Sequence, residues 1–138
     1  MLHAAIAGNP DFELSTVDID RPPPHFAVDT LHLLAEAYPG ATLIYLMGGD
    51  SLRDLPLWRR PLEFVAACRT IGVMRRPGET VEPDGGLSEA VIRALDAQLP
   101  GLAGKVRFIE APLLQIASTD IRRRLADGRP YRYYVPDT

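Results

Sequence analysis

The sequence predicts an α/β fold on a mostly parallel sheet, and three observations point there. Short apolar runs rich in β-branched and aromatic residues alternate with segments of helical periodicity. The runs at 42–47, 70–74 and 106–109 are largely apolar, as buried parallel strands are, instead of alternating between polar and apolar faces. The 13 prolines and 11 glycines cut the chain into short elements without any repeat, linker or low-complexity block. At 138 residues the chain has the length of one domain, so residues 1–138 are taken as a single domain with one core.

In chain order, Phe12 to Asp18 alternates as a strand does. Asp29 can cap a helix whose Leu31, Leu34, Ala35 and Tyr38 share one face before Pro39-Gly40 stops it. Thr42 to Met47 reads as a strand covered on both sides, Leu57 to Ala67 as a helix, and Thr70 to Met74 as a second buried strand. Ser88 can cap a helix running to Leu99, Val106 to Ile109 follows as a strand, and a last helix spans about Ser118 to Ala126, closed by Gly128 and Pro130. Such alternation makes right-handed βαβ units, whose ligands bind beyond the carboxyl ends of the strands. Chemistry is therefore sought just after Met47, Met74 and Ile109.

Composition narrows the function. Hydrophobic residues make up 46% and charged residues 24%, which excludes a disordered or fibrous chain. Fifteen basic against 18 acidic residues give a net charge of -3, so no general affinity for nucleic acid or membrane surfaces is expected and any anion site must be local. Cys68 is the single cysteine, which rules out an intrachain disulfide and a cysteine-based metal cluster and suits a reducing cytoplasm. The opening Met1 to Gly8 has no basic n-region, and no stretch approaches the ~18 apolar residues of a membrane span, so a cytoplasmic protein is expected.

Three segments carry candidate chemistry. After Met47 comes Gly48-Gly49-Asp50-Ser51: glycines admit a ligand close to the backbone and Asp50 can accept from a ribose hydroxyl, while the same residues would also make an ordinary strand-to-helix turn. Trp58, the only tryptophan, is either a half-buried helix anchor or a stacking platform for a planar ring. After Ile109 comes Ile116-Ala117-Ser118-Thr119-Asp120-Ile121-Arg122. A helix starting near Ser118 gathers free amides and two hydroxyls at its N-terminus, with Arg122 one turn on: a phosphate clamp, or a capped helix with a solvated Arg122-Arg123-Arg124 face. Arg75 and Arg76, at the end of the 70–74 run, either meet a ligand phosphate or carboxylate or sit in water.

These segments together resemble one family. Ile116 to Arg122 resembles the I-S-S-T-x-I-R signature of the nicotinate mononucleotide adenylyltransferases. Phe26-Ala27-Val28-Asp29-Thr30-Leu31 is similar to their Y-T-x-D-T-L segment, Met47-Gly48-Gly49-Asp50-Ser51-Leu52 to their G-x-D-S-L, and Trp58 stands where their tryptophan does. Val73 to Gly78 is similar to their V-x-x-R-P-G, and Tyr134-Val135-Pro136 to their closing Y-V-P. The resemblance implies a Rossmann-like nucleotidyltransferase with helices on both faces of the sheet. It implies transfer of AMP from ATP, with Mg2+, to nicotinate mononucleotide. By the same resemblance Ser118, Thr119 and Arg122 hold the β and γ phosphates and carry the catalysis, and Gly48, Gly49 and Asp50 meet the nucleotide sugar. Phe26, Ala27, Trp58, Arg75 and Arg76 would face the pyridine nucleotide.

The sequence also departs from that pattern. The family's G-x-F-D-P-x-H-x-G-H segment has no counterpart among the three histidines His3, His25 and His32. Met1 aligns with an internal position, so the resemblance implies that a first βα unit and a final helix are missing, leaving a partial nucleotidyltransferase domain that is inactive by itself. A noncatalytic remnant that binds nucleotide weakly or needs a partner segment is the alternative. Ala27 and Ala117 replace hydroxyl residues of the family pattern, beside the pyridine and in the clamp respectively.

Overall fold

Three parallel strands and the short helices packed on them make up most of the ordered core in the computed structural model, which describes residues 2–74, 89–110 and 116–135. In chain order the first elements are α1 (Leu2–Ile6), α2 (Ala27–Ala37), β1 (Ile44–Gly48) and α3 (Gly49–Asp54). Next come α4 (Pro61–Ala67), β2 (Thr70–Met74), α5 (Glu89–Gln98), α6 (Leu102–Lys105), β3 (Val106–Ile109) and α7 (Ser118–Ala126). The chain divides into two compact units, residues 17–113 and residues 1–16 with 114–138.

In the larger unit the strand order is β1-β2-β3, all parallel, with Met47 opposite Val73 and Val73 opposite Phe108. The period-two geometry sends Met47, Ile71, Val73 and Val106 to one face, where all are buried against Leu52, Leu55, Phe64 and Leu102. On the opposite face Ile44 and Leu46 are 58% and 56% exposed. Gly72 is central to that face. A Cβ there would stand 2.5 Å from the Cδ1 of Ile109 and 2.7 Å from the Cδ2 of Leu46, so its absence lets both side chains lie across the middle strand.

Local chemistry explains the boundaries. Gly40 and Gly101 take positive φ just past α2 and α5, and Gly128 does so past α7, where the Arg129 amide bonds back to the Arg124 carbonyl. Pro61 opens α4 at the position where a missing N–H costs nothing. Lys105, the one lysine of the sequence, donates from Nζ to the Val65 carbonyl (2.6 Å) and the Ala66 carbonyl (3.1 Å) at the end of α4, a cation placed on a helix C-terminus. Cys68 is buried beside it, and burial pushes its thiol up to about 11.

Several sequence expectations need correction. Phe12 to Asp18 is not a strand: residues 12–16 are irregular and Val17 to Asp18 begin a turn. Alternation supplies an apolar side, but a strand exists only through a ladder, and no described strand pairs with this segment; Phe12 is 61% exposed. The second helix starts at Ala27 with Phe26 as its cap, so Asp29 lies inside the first turn. Leu57 to Ala67 is not one helix. A 3-10 turn over Leu55–Leu57 is followed by extended Trp58 and by Arg60 at φ 50, because the residue before Pro61 is barred from helical geometry. Ser88 lies outside the described residues. The strands at 44–48, 70–74 and 106–109 and the helix at 118–126 stand where expected, within two residues.

Candidate functional site

At the carboxyl end of β1, Gly48 is extended and caps α3, and Gly49 is buried in the first turn. Asp50 is exposed, and its carboxylate accepts the Ser51 amide at 2.9 Å. This is a strand-to-helix turn with an acid at the strand end.

Two segments distant in sequence meet within the same unit. The Arg59 guanidinium lies 5.9 Å from the centre of the Phe26 ring, and Arg60 pairs with Asp29 of α2 and with Glu63 of α4. Those two ion pairs hold Arg60 in a left-handed conformation that costs a non-glycine residue about 1 kcal/mol. Trp58 stands edge-on to Phe64 (5.2 Å) and Tyr45 (6.2 Å) and is half-buried. The anchor reading of Trp58 is thus present in the packing. Phe26 and Ala27 also pack against the core, at the start of a helix and not in a free turn.

Sequence reasoning missed the residues that hold Phe26 in place. Arg21 donates from Nε (3.0 Å) and Nη2 (2.6 Å) to Asp18 Oδ1 and from Nη1 to the Pro24 carbonyl (2.9 Å). Its Nη2 also lies 3.4 Å from the Phe26 carbonyl, and Thr30 of α2 donates its hydroxyl to Asp18 at 2.7 Å. The available signal was an acid and an arginine three apart just before Pro22-Pro23-Pro24, and the strand assigned to Phe12–Asp18 hid it.

The Thr30 hydroxyl chiefly lowers the Asp18 carboxyl below its ordinary 3.8; burial opposes this, and the Arg21 guanidinium adds to the lowering. A carboxyl depressed in the folded state stabilises above its unfolded value and loses that contribution as pH falls through the folded one. Asp18→Asn is therefore expected to lower Tm at pH 7, with the gap to the parent protein closing below about pH 4. A gap of constant size from pH 7 to pH 3 would contradict it.

In the other unit, α7 begins at Ser118 as expected, with Ala117 as a cap that makes no side-chain hydrogen bond. Ser118, Thr119 and Arg122 are exposed on this helix. Asp120 is engaged by Arg123 at 2.6 Å, and Arg124 lies over the Tyr134 ring at 4.7 Å, whereas Arg122 makes no hydrogen bond or ion pair among the described residues. The acid in the first turn is thus neutralised within the helix. Arg75, Arg76 and Pro136 lie outside the described residues. Among the described residues no three His, Cys, Asp or Glu side chains converge as metal ligands, and no helix is long and apolar enough to cross a membrane.

No protein-family model matches the chain. Individual relatives do. It is 43% identical over 136 residues to a "Probable nicotinate-nucleotide adenylyltransferase" of Thermomicrobium roseum, covering 99% of this chain and 59% of that protein. Proteins of the same name from a Roseiflexus species and from Streptomyces coelicolor are 40% and 39% identical over 99% of this chain, which covers 63% and 64% of their lengths. The chain is similar to these nicotinate-nucleotide adenylyltransferases along nearly its whole length. It spans about three fifths of the length of these relatives. A solved structure, "Plasmodium falciparum nicotinic acid mononucleotide adenylyltransferase complexed with APC", matches with a TM-score of 0.59 over 89% of this chain and 55% of that one. At 18% identity this match speaks for the fold alone, a Rossmann-like parallel α/β sheet.

Proposed function

We propose that the protein carrying this chain transfers the adenylyl group of ATP to the phosphate of nicotinate mononucleotide in the cytoplasm, giving nicotinate adenine dinucleotide and pyrophosphate. The observation that carries this reading is the 43% identity over 136 residues to a relative named for that chemistry, a stretch that includes every candidate segment. An acceptor phosphate oxygen attacks the α-phosphorus in line while the bond to the bridging oxygen of pyrophosphate breaks, with no covalent enzyme intermediate. Catalysis then rests on holding the two phosphates in line and on neutralising the charge that builds on the leaving group.

In this reading Ser118, Thr119 and Arg122 hold the β and γ phosphates; the exposed, unpaired Arg122 on α7 supports that role. Gly48, Gly49 and Asp50 take the nucleotide sugar. Trp58 stacks on the pyridine ring, Phe26 and Ala27 flank it, and Arg75 and Arg76 offer cations to its carboxylate or phosphate. Magnesium enters this reading with its substrate, as Mg–ATP.

Initial rates of pyrophosphate release, measured on the full-length protein with alternative acceptors, test the reading. Nicotinate mononucleotide is expected to support turnover and nonpyridine phosphomonoesters are not. A rate that is equal with every acceptor would overturn it. Trp58→Ala is expected to raise KM for nicotinate mononucleotide by about 5- to 150-fold, since a stacked ring is worth ~1 to 3 kcal/mol. Its contacts with Phe64 and Tyr45 add a loss of stability of about 1 to 3 kcal/mol, so Trp58→Phe, which keeps a ring in the cluster, should recover most of the Tm. Lost stability with an unchanged KM would leave Trp58 as an anchor alone.

A further inference from the structure

Pro22, Pro23 and Pro24 have no amide N–H, so the segment that leads into α2 has few backbone donors with which to fasten itself. Its geometry must be imposed from outside the backbone. Arg21 does this. Its guanidinium grips Asp18 at the start of the segment through Nε and Nη2, and reaches the carbonyls of Pro24 (2.9 Å) and Phe26 (3.4 Å) at its end. The side chain is only 18% exposed, and Asp18 passes the tie to α2 by accepting the Thr30 hydroxyl at 2.7 Å. One planar fork thus spans the segment from end to end, a task for which a point charge such as lysine lacks the geometry.

We propose that Arg21 is a positioning residue for the acceptor substrate: it sets the backbone of Phe26 and Ala27 and thereby the affinity for the pyridine mononucleotide, without touching it. This rests on the reading above, in which Phe26 and Ala27 flank the pyridine ring. The Phe26 carbonyl is the pivot. It also accepts the amides of Asp29 (3.0 Å) and Thr30 (3.2 Å), so a Phe26 released by loss of Arg21 loosens the first turn of α2 from its N-terminus.

The test compares the full-length protein with its Arg21→Ala and Arg21→Lys variants, and with Arg93→Ala as a control that removes an exposed arginine paired to Glu89 on α5. Arg21→Ala is expected to raise KM for nicotinate mononucleotide about tenfold while kcat and KM for ATP stay within about twofold. Arg21→Lys, which can keep the Asp18 pair, should restore most of the Tm yet leave KM raised. Amide hydrogen exchange at Asp29 and Thr30 should quicken about tenfold in Arg21→Ala, with Ile71 and Val73 in β2 unchanged. Unaltered exchange at Asp29 and Thr30 would overturn the tie. A KM fully rescued by lysine, or both KM values shifting together with Tm, would overturn the positioning role. A parent protein that transfers no AMP, while the exchange difference persists, would overturn the functional reading and with it the substrate role, leaving only a structural tie.

Discussion

Arg122→Ala is expected to lower kcat/KM for ATP by about 30- to 1,000-fold, ~2 to 4 kcal/mol of transition-state stabilisation, in the full-length protein. The size follows from the leaving group. Charge accumulates on pyrophosphate as the α-phosphorus bond breaks, and a charge-assisted contact to it strengthens in the transition state, so kcat falls and not only KM. Stability should be nearly untouched. Arg122 is exposed on α7, makes no ion pair or hydrogen bond among the described residues, and alanine is the better helix former. The neighbouring Arg123, paired with Asp120, serves as the control: Arg123→Ala should leave kcat/KM within about threefold. Unchanged kcat/KM in Arg122→Ala would remove the clamp from the account and return α7 to a capped, solvated helix.

The largest effect on stability is expected at Phe64. This side chain is fully buried on α4 and meets the rings of Tyr45 (4.9 Å) and Trp58 (5.2 Å) edge-on, so it joins β1, α4 and the Trp58 segment. Phe64→Ala removes the transfer free energy of the ring and leaves a cavity, about 3 to 5 kcal/mol together. Against a typical domain stability of ~5 to 15 kcal/mol this is enough to populate unfolded protein at 37 °C. Phe64→Leu, which keeps most of the volume, should cost roughly 1 to 2 kcal/mol and retain the fold. Denaturant unfolding monitored by Trp58 fluorescence reads both. A loss below about 1 kcal/mol for Phe64→Ala would mean that the aromatic cluster is not the joint of this unit.

What could be read from the sequence was the part carried by local pattern. The runs ending at Met74 and Ile109 are strands because β-branched, apolar segments between turn residues have few other uses, and Ser118 starts α7 because small polar residues precede a periodic stretch. What could not be read depended on partners. Phe12 to Asp18 has a strand's alternation, but pairing is a property of two segments, and its Asp18 is engaged instead by Arg21 and Thr30. Arg60 looked like one more helical residue; Pro61 after it, and Asp29 and Glu63 around it, bend the chain there. The apolar run of β1 reported the amount of hydrophobic surface and not its cover, since Met47 is buried while Ile44 and Leu46 are exposed. At the candidate site, Phe26 and Trp58 were named from motif order, but that Arg59 brings the first beside the second's segment is a fact of packing.

Adenylyl transfer itself is tested most directly by following the α-phosphorus. Full-length protein incubated with ATP labelled at that position and with nicotinate mononucleotide should carry the label into nicotinate adenine dinucleotide, one equivalent for each pyrophosphate released and none left on the protein. Label recovered as free AMP, label retained on the protein after denaturation, or pyrophosphate formed equally fast without nicotinate mononucleotide would contradict it.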